Sequence, residues 1–222
     1  MTPETLFSLC VFAFATSATP GPNNAMLFAS GVNHGFRRTL PHLLGVTLGF
    51  TFMQLALGLG VGLVFEAVPG LYVILRVLGV LYMLYLAWAI GSSTPPTNAP
   101  PADAPKDAPQ PSPGSASATA RPMTFLEASA FQWVNPKALM MCLTAASTYA
   151  PQDQPVLGAL VVTAAFFVVG MPCCGAWAVL GVALRGLLQD RSRLRAFNWA
   201  MALALVASMA PMARDLFQGG LF

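Results

Sequence analysis

The sequence predicts an all-α integral membrane protein with six transmembrane helices, arranged as two inverted repeats of three helices. Three observations lead to this fold class. Hydrophobic residues make up 56% of the chain and charged residues only 9%, whereas about 25% of the residues in an ordinary soluble domain are charged. The mean hydropathy is +0.65, and the apolar residues occur in long runs. A polar, proline-rich segment separates these runs into two groups of three.

The apolar runs are long enough to cross a bilayer, since one span needs roughly 20 apolar residues. We predict spans near residues 5–31, 40–65, 68–91, 124–149, 156–187 and 196–217. The chain 1–222 is then a single transmembrane domain, with 1–91 as the first repeat and 123–222 as the second. Because each repeat has an odd number of spans, the two repeats have opposite orientations in the membrane.

The segment between the repeats, residues 92–122, holds nine of the 19 prolines of the chain together with alanine, serine and threonine. Such a composition cannot bury enough apolar surface to offset the entropy lost on ordering. We therefore predict a disordered linker. A rigid polyproline spacer is left open as the alternative.

The arginines predict the orientation of the chain. Arg37 and Arg38 follow the first span, and a second cluster surrounds the turn between spans five and six, at Arg185, Arg191, Arg193 and Arg195. Both clusters lie on one face of a six-span chain, and the positive-inside rule makes that face cytoplasmic. We expect a cytoplasmic linker and periplasmic termini. No lysine or arginine precedes Arg37, so the first apolar segment lacks the basic start of a cleaved signal and is expected to stay in the mature protein.

Two spans contain proline-asparagine breaks. The first break is Thr-Pro-Gly-Pro-Asn-Asn at 19–24, and the second is Val-Asn-Pro-Lys at 134–137. Proline removes a backbone donor, and broken backbone at membrane depth is tolerated only where protein buries it or where it lines a polar cavity. Corresponding broken helices in two repeats indicate a transport site. The predicted substrate-binding residues are Pro20, Gly21, Pro22, Asn23, Asn24, Asn135, Pro136 and Lys137, with Gln54 and Gln132 as further candidates.

The chemistry expected at these breaks suits a zwitterion. The helix that resumes after Asn23 and Asn24 presents free N–H groups and a positive dipole end to an anion, while freed carbonyls accept from an ammonium group. Lys137 would neutralise a carboxylate. The alternatives without ligand binding are that the asparagines only cap a helix and that Lys137 reaches the interfacial headgroups. Gln54 and Gln132 are equally consistent with hydrogen bonds between helices.

Other polar and small residues are interpreted structurally. We interpret Gly45 and Gly49 as a small-residue step for close helix packing, and we expect His34 and His42 to be solvated beside the first basic loop. Glu127 is the nearest candidate for a proton-coupling group, although a carboxylate at the cytoplasmic interface is the simpler interpretation.

The four cysteines, at 10, 142, 173 and 174, lie in apolar runs without metal-ligand spacing. We interpret them as packing residues, and we expect no metal, no cofactor and no catalytic residue. A membrane thiol-electron shuttle that uses Cys10 and Cys142 is kept as the enzyme-class alternative. A divalent-metal exporter is the transport alternative, although clustered acidic or histidine ligands are missing from the spans.

The breaks also resemble a known family. The run 19–24, the following Gly31, Gly35, Phe36 and Arg37, the Gly45-Val46 and Gly49 pattern, and the second break together resemble the lysine exporter and homoserine/threonine efflux (LysE/RhtB) family. The resemblance covers the six-span plan. It implies export of amino acids or their derivatives across the bacterial inner membrane, driven by membrane energy, and places the family's characteristic positions at residues 20–24 and 135–137.

The sequence thus predicts an amino-acid exporter that works by alternating access, with a driving force that we expect to be the proton motive force. The expected partners are a small-molecule substrate and the lipid bilayer. No nucleic acid is expected, and a homodimer is left open.

Overall fold

The computed structural model describes residues 1–61, 69–92, 121–151, 153–188 and 190–207. The regular structure of these residues is helical throughout. It comprises α1 (Pro3–Ala18), α2 (Pro22–His34), α3 (Phe36–Ala56), α4 (Pro69–Gly91), α5 (Phe125–Gln132), α6 (Pro136–Tyr149), α7 (Pro155–Leu184) and α8 (Arg191–Ala207). A π-helical turn, Leu57–Val61, continues α3.

The described helices follow the apolar runs of the sequence. The first run contains α1 and α2, and the fourth contains α5 and α6, so that each of these runs holds two helices. The second, third and fifth runs correspond to α3, α4 and α7. The ends of the second and sixth predicted spans, at 62–65 and 208–217, and most of the predicted linker, at 93–120, lie outside the described residues.

Two helical stretches in the described part of the chain are long and apolar enough to cross a membrane, Phe36–Gly60 and Pro155–Leu184. This assignment rests on length and composition alone. The stretches Pro3–Ala18 and Val77–Gly91 are apolar but shorter. The interruptions after α1 and α5 divide the first and fourth apolar runs into shorter helices.

The helix starts have different capping groups. The Thr2 hydroxyl accepts from the Thr5 N–H at the start of α1, and Thr124 forms a capping box with Glu127 at the start of α5. Before α8, the Arg193 and Ser192 N–H groups bind the Asp190 carboxylate and lower its pKa. No capping side chain binds the start of α2, where Gly21 is the N-cap.

Glycines allow the closest helix approaches. Gly31 on α2 and Gly181 on α7 each face a carbonyl of the opposite helix, and a Cβ at either position would overlap that carbonyl. Gly45 and Gly49 on α3 face the backbone of α5 in the same way. The predicted packing role of Gly45 and Gly49 is thereby confirmed.

Helix α7 lies centrally, because it packs against α1, α2 and α3, while α4 packs against α8. Gly35 joins α2 to α3 with a φ of 77°, a left-handed conformation that favours glycine. This sharp connection lets α3 turn back beside α2. The central position of α7 then brings parts of both halves around one space.

The expectation that His42 is solvated is wrong. His42 is 2% exposed, and neither ring nitrogen has a hydrogen-bond partner among the residues that the structure describes. The loop position suggested exposure, but α3 begins at Phe36 and carries His42 into the helix packing. His34 is half-buried. Glu127, in contrast, is exposed and binds the Arg121 guanidinium through two hydrogen bonds of 2.6 and 2.8 Å, as expected of a carboxylate at the start of a helix.

Candidate substrate-binding site

Lys137 connects the two breaks. Its Nζ lies 3.0 Å from the Thr19 carbonyl oxygen, 2.9 Å from the Thr19 hydroxyl and 3.3 Å from the Pro20 carbonyl oxygen. These acceptors belong to the chain that leaves α1, where carbonyls lack helical partners. The ammonium group has three donors, and this arrangement gives each one an acceptor. The second break thus stabilises the exposed carbonyl end of the first.

Asn23 and Gln132 form a second link between the halves of the chain. The Asn23 amide donates to Gln132 Oε1 at 2.8 Å, and Gln132 Nε2 donates to Asn23 Oδ1 at 3.2 Å. Gln132 Nε2 also donates to the Ala128 carbonyl at 2.8 Å, and the Gln132 side chain is 0% exposed. This reciprocal pair satisfies buried amides that would be costly without partners.

Asn24 bridges the first break itself. Its Nδ2 donates to the carbonyls of Ser17 at 2.7 Å and Thr19 at 2.9 Å. The Cys174 Sγ lies 3.8 Å from Asn24 Oδ1 and donates weakly to it. The amide therefore folds back onto the end of α1, and its oxygen meets α7.

The carbonyl end of α1 accepts hydrogen bonds from three different helices. In addition to Asn24 of α2 and Lys137 of α6, Trp177 of α7 donates its Nε1–H to the Ala18 carbonyl at 3.3 Å. Side chains of three other helices thus replace the missing helical partners of this break. The second break is simpler, because Asn135 Oδ1 caps α6 by accepting from the Ala138 N–H at 3.4 Å.

A cavity lies between α1, α2, α3, α6 and α7 beside both breaks. It encloses about 530 Å³ of space free of protein atoms, part of it open to solvent. The polar part of its wall consists of the two breaks and nearby small side chains: Thr16, Ser17, Gly21, Pro22, Asn23, Asn24, Thr47, Asn135, Lys137 and Cys174. The apolar part comes chiefly from Phe50, Met141, Phe166, Phe167 and Met171.

The start of α2 faces this cavity beside the Lys137 ammonium group. The first N–H groups of a helix lack intrahelical partners, and no side chain of the described residues caps them here. A Cβ added at Gly21 would lie 2.9 Å from both Cδ and Nζ of Lys137. Glycine therefore allows the ammonium group to lie directly against the helix start, which concentrates positive potential at one point of the wall.

The structure brings together most of the residues predicted from the sequence. Gly21, Pro22, Asn23, Asn24, Asn135 and Lys137 line the cavity. Pro20 contributes a carbonyl that binds Lys137, and Pro136 is the first residue of α6. Gln132 is not among the lining residues. Its side chain forms hydrogen bonds with Asn23, which does line the cavity.

Gln54 has a separate position. It is fully buried, and its Nε2 lies 3.4 Å from the Cys142 carbonyl oxygen, while Oε1 has no hydrogen-bond partner. This contact joins α3 to α6. It corresponds to the interhelical hydrogen bond that the sequence left open for this residue.

Sequence reasoning missed several wall residues. Cys174 was interpreted only as a packing residue, yet it lines the cavity and contacts Asn24. Thr47 and Phe50 are two more, and their spacing of three residues on α3 is the signal that places them on one helix face. Hydroxyl and aromatic side chains are common in membrane helices, so their type alone did not distinguish them.

Apolar helices that surround a cavity with a partly polar wall, at a point where two apolar runs are interrupted, define the class of a membrane transport protein. The comparison with family models identifies which one. The LysE type translocator model matches residues 14–211, and the chain belongs to this family. It is therefore a transporter of the bacterial inner membrane rather than an enzyme, and the family resemblance read from the breaks is confirmed.

Curated relatives of the chain include the cysteine/O-acetylserine efflux proteins of Escherichia coli (strain K12), Shigella sonnei (strain Ss046) and Shigella flexneri. Each is 32% identical over 211 residues, which cover 93% of this chain and 96% of the relative. No solved structure matches the chain.

Proposed function

We propose that the chain exports amino acids or close amino-acid derivatives across the bacterial inner membrane by alternating access. The observation that carries this proposal is the meeting of the two breaks at one cavity, where the Lys137 ammonium lies against the uncapped start of α2. A carboxylate is the group that this corner would bind, because N–H donors and a positive charge act at the same point.

Lys137 and the start of α2 contribute differently to this proposed carboxylate site. The three Lys137 donors are engaged by Thr19 and Pro20, so in this conformation the lysine contributes charge rather than free donors. The N–H groups at the start of α2 supply the hydrogen bonds. A carboxylate on the substrate would also compete with the Thr19 and Pro20 oxygens for Lys137, which couples substrate binding to the contact between the two breaks.

The names of the relatives support an amino-acid substrate. The curated relatives are efflux proteins for cysteine and O-acetylserine, both of which carry an α-carboxylate and an α-ammonium group. We propose these two compounds as the first substrates to examine for this chain.

Alternating access follows from the predicted inverted repeats. The packing supports them, since α1 of the first half packs against α7 of the second half, and α5 of the second half packs against α3 of the first. We propose that the bonds from Lys137 to Thr19 and from Asn23 to Gln132 rearrange when the halves move. The predicted orientation, with periplasmic termini, and the possibility of a homodimer stay predictions.

The thiol-shuttle alternative has little support. Cys10 packs against a cluster around Leu9 and Phe166, whereas Cys142 belongs to a separate cluster with Met53 and Leu57.

The divalent-metal exporter is the other alternative. In the described residues, no group of three or more His, Cys, Asp or Glu side chains is placed to hold a metal ion. Amino-acid export therefore remains the leading proposal.

Efflux from living cells tests the proposal. Cells that lack their own exporters are loaded with dipeptides, and amino acids are then measured inside and outside with time. Expression of the chain should lower the amino-acid concentration inside the cells and raise the concentration outside. Lys137→Ala should reduce this efflux at least about tenfold, because the charge that faces the carboxylate is lost. Asn24→Ala should also reduce it, since the carbonyls of Ser17 and Thr19 lose their hydrogen bonds from the Asn24 amide.

Lys106→Ala, which removes the other lysine of the chain from the predicted linker, is the matched charge control and should leave efflux unchanged. Membrane levels of every variant are compared by immunoblot. The substrate proposal fails if no compound in a broad amino-acid panel, including cysteine and O-acetylserine, is exported.

The driving force is tested in proteoliposomes. If the proton motive force drives export, a protonophore should abolish net accumulation but leave exchange of labelled for unlabelled substrate intact. Accumulation that persists with the protonophore would contradict proton coupling without affecting the substrate proposal.

A further inference from the structure

The cavity has two chemically different ends. At one end, Cys174 of α7 contacts Asn24, and Lys137 of α6 contacts the first break. At the other end, the rings of Phe50 and Phe166 lie 5.4 Å apart between centroids, and Met141 packs against the same cluster.

Helix geometry separates these ends along two walls. Cys174 and Phe166 are eight residues apart on α7, about 12 Å along the axis, and Lys137 and Met141 are four residues apart on α6, about 6 Å. A small molecule held by its carboxylate beside Lys137 therefore extends toward Met141 and the two phenylalanines.

The charged side chains of the cavity wall are all of one sign. Of the described residues that line the cavity, Lys137 is the only one with a basic side chain, and none is an aspartate or glutamate. The Cys174 thiol donates its hydrogen to Asn24 Oδ1 and so carries no charge. A substrate with a second cationic group would place that group in the apolar end, where the described lining residues offer no carboxylate as a partner.

We propose that this cavity selects amino acids with uncharged, apolar or thioether side chains and excludes those with cationic side chains. Phe50, Met141, Phe166 and Met171 are the specificity-determining residues. The proposal rests on the proposed function, since it describes the side-chain end of the same amino-acid site. The α-carboxylate lies at the Lys137 end, and the side chain lies against the aromatic end, where each buried methylene group contributes favourably.

Counterflow in proteoliposomes tests the selectivity of the full chain. Vesicles are loaded with unlabelled methionine, leucine, lysine or arginine, and entry of the same amino acid in labelled form is measured at equal concentrations. Methionine and leucine should exchange at least about tenfold faster than lysine and arginine, because an unpaired cation is costly in the apolar end. Equal exchange of lysine and methionine would overturn the selectivity proposal and leave amino-acid transport standing.

Absence of exchange for every amino acid, with cysteine and O-acetylserine in the panel, would instead contradict the proposed function itself. The two failures are therefore distinguishable by the same measurement.

A substitution on α7 tests the physical cause. Met171→Glu adds a carboxylate to the apolar part of the wall, and Met171→Gln adds a side chain of similar shape without charge. The glutamate variant should raise the ratio of lysine to methionine exchange about tenfold over the glutamine variant. If the two folded variants give the same ratio, charge does not set the selectivity. If neither variant folds, the wild-type panel still decides the proposal.

Discussion

At the scale of the residue, Lys137 lines the cavity, as expected. Its three donors are also engaged by Thr19 and Pro20. The sequence places a cation beside a proline break, and it does not show which carbonyls that cation binds. The tertiary contact turns one lysine into both a local stabiliser of the first break and a source of charge for the cavity.

Gly21→Ala tests the close contact between the first break and Lys137. A Cβ there would lie 2.9 Å from Lys137 Cδ and Nζ, so the flexible lysine has to move and its bonds to Thr19 and Pro20 weaken. We expect efflux to fall at least about fivefold, by analogy with the loss of roughly 1 kcal/mol for a weakened hydrogen bond. Membrane levels should be little changed.

The matched control for Gly21→Ala is Gly170→Ala, in the wall of the same cavity. Its added Cβ would meet only Ser17 Oγ, at 3.4 Å, which is an ordinary contact. Equal loss of efflux in both variants would show that an added methyl group anywhere in the cavity is harmful, and the specific role of the Gly21 contact would be refuted.

At the scale of the element, small residues decide which helices meet. Gly31 and Gly181 fit α2 against α7, and Gly45 and Gly49 fit α3 against α5. The sequence showed the small-residue step on α3, because its members are four residues apart. It did not show which helix fills that step, since spacing within one helix defines a face and gives no partner.

Two glycines of α7 provide a matched stability test. Gly181 faces the Phe28 carbonyl so closely that a Cβ would overlap it. In the described part of the chain, nothing beyond the neighbouring turns of α7 lies within 4 Å of a Cβ at Gly175. Gly181→Ala should destabilise the protein by about 1–3 kcal/mol through overpacking. Gly175→Ala should be neutral or slightly stabilising, because alanine has the higher helix propensity.

The measurement is thermal unfolding of both purified variants in the same detergent. The Gly181 variant should unfold several degrees below wild type. An unchanged midpoint for this variant would mean that α2 and α7 can move apart without cost, contrary to the packing described above.

At the scale of the whole molecule, the two breaks lie beside one cavity because side chains of each half bind the other half. Lys137 reaches Thr19 across 118 residues of sequence, and Asn23 reaches Gln132 across 109. Both contacts join opposite sides of the proline-rich segment. The cavity is therefore a property of the two halves together, and neither half alone contains its polar wall.

The predicted orientation is tested with reporter fusions to the whole chain. Alkaline phosphatase, which is active only in the periplasm, should be active when fused after residue 222 and inactive when fused within 92–122. The arginine clusters give the physical reason, since basic segments stay on the cytoplasmic side. The opposite pattern of activity would reverse the orientation and place the linker outside.

The all-helical membrane character, the two breaks, the family and six of the residues that line the cavity can be read from the sequence. Apolar run length, proline and short motifs are local properties, so reading them requires no knowledge of the packing. The packing was needed to show that His42 is buried, that Gln132 binds Asn23, and that Cys174 and the phenylalanines form part of the cavity wall. Burial and hydrogen-bond partners depend on which helix faces pack together, and residues more than 100 positions apart supply those faces.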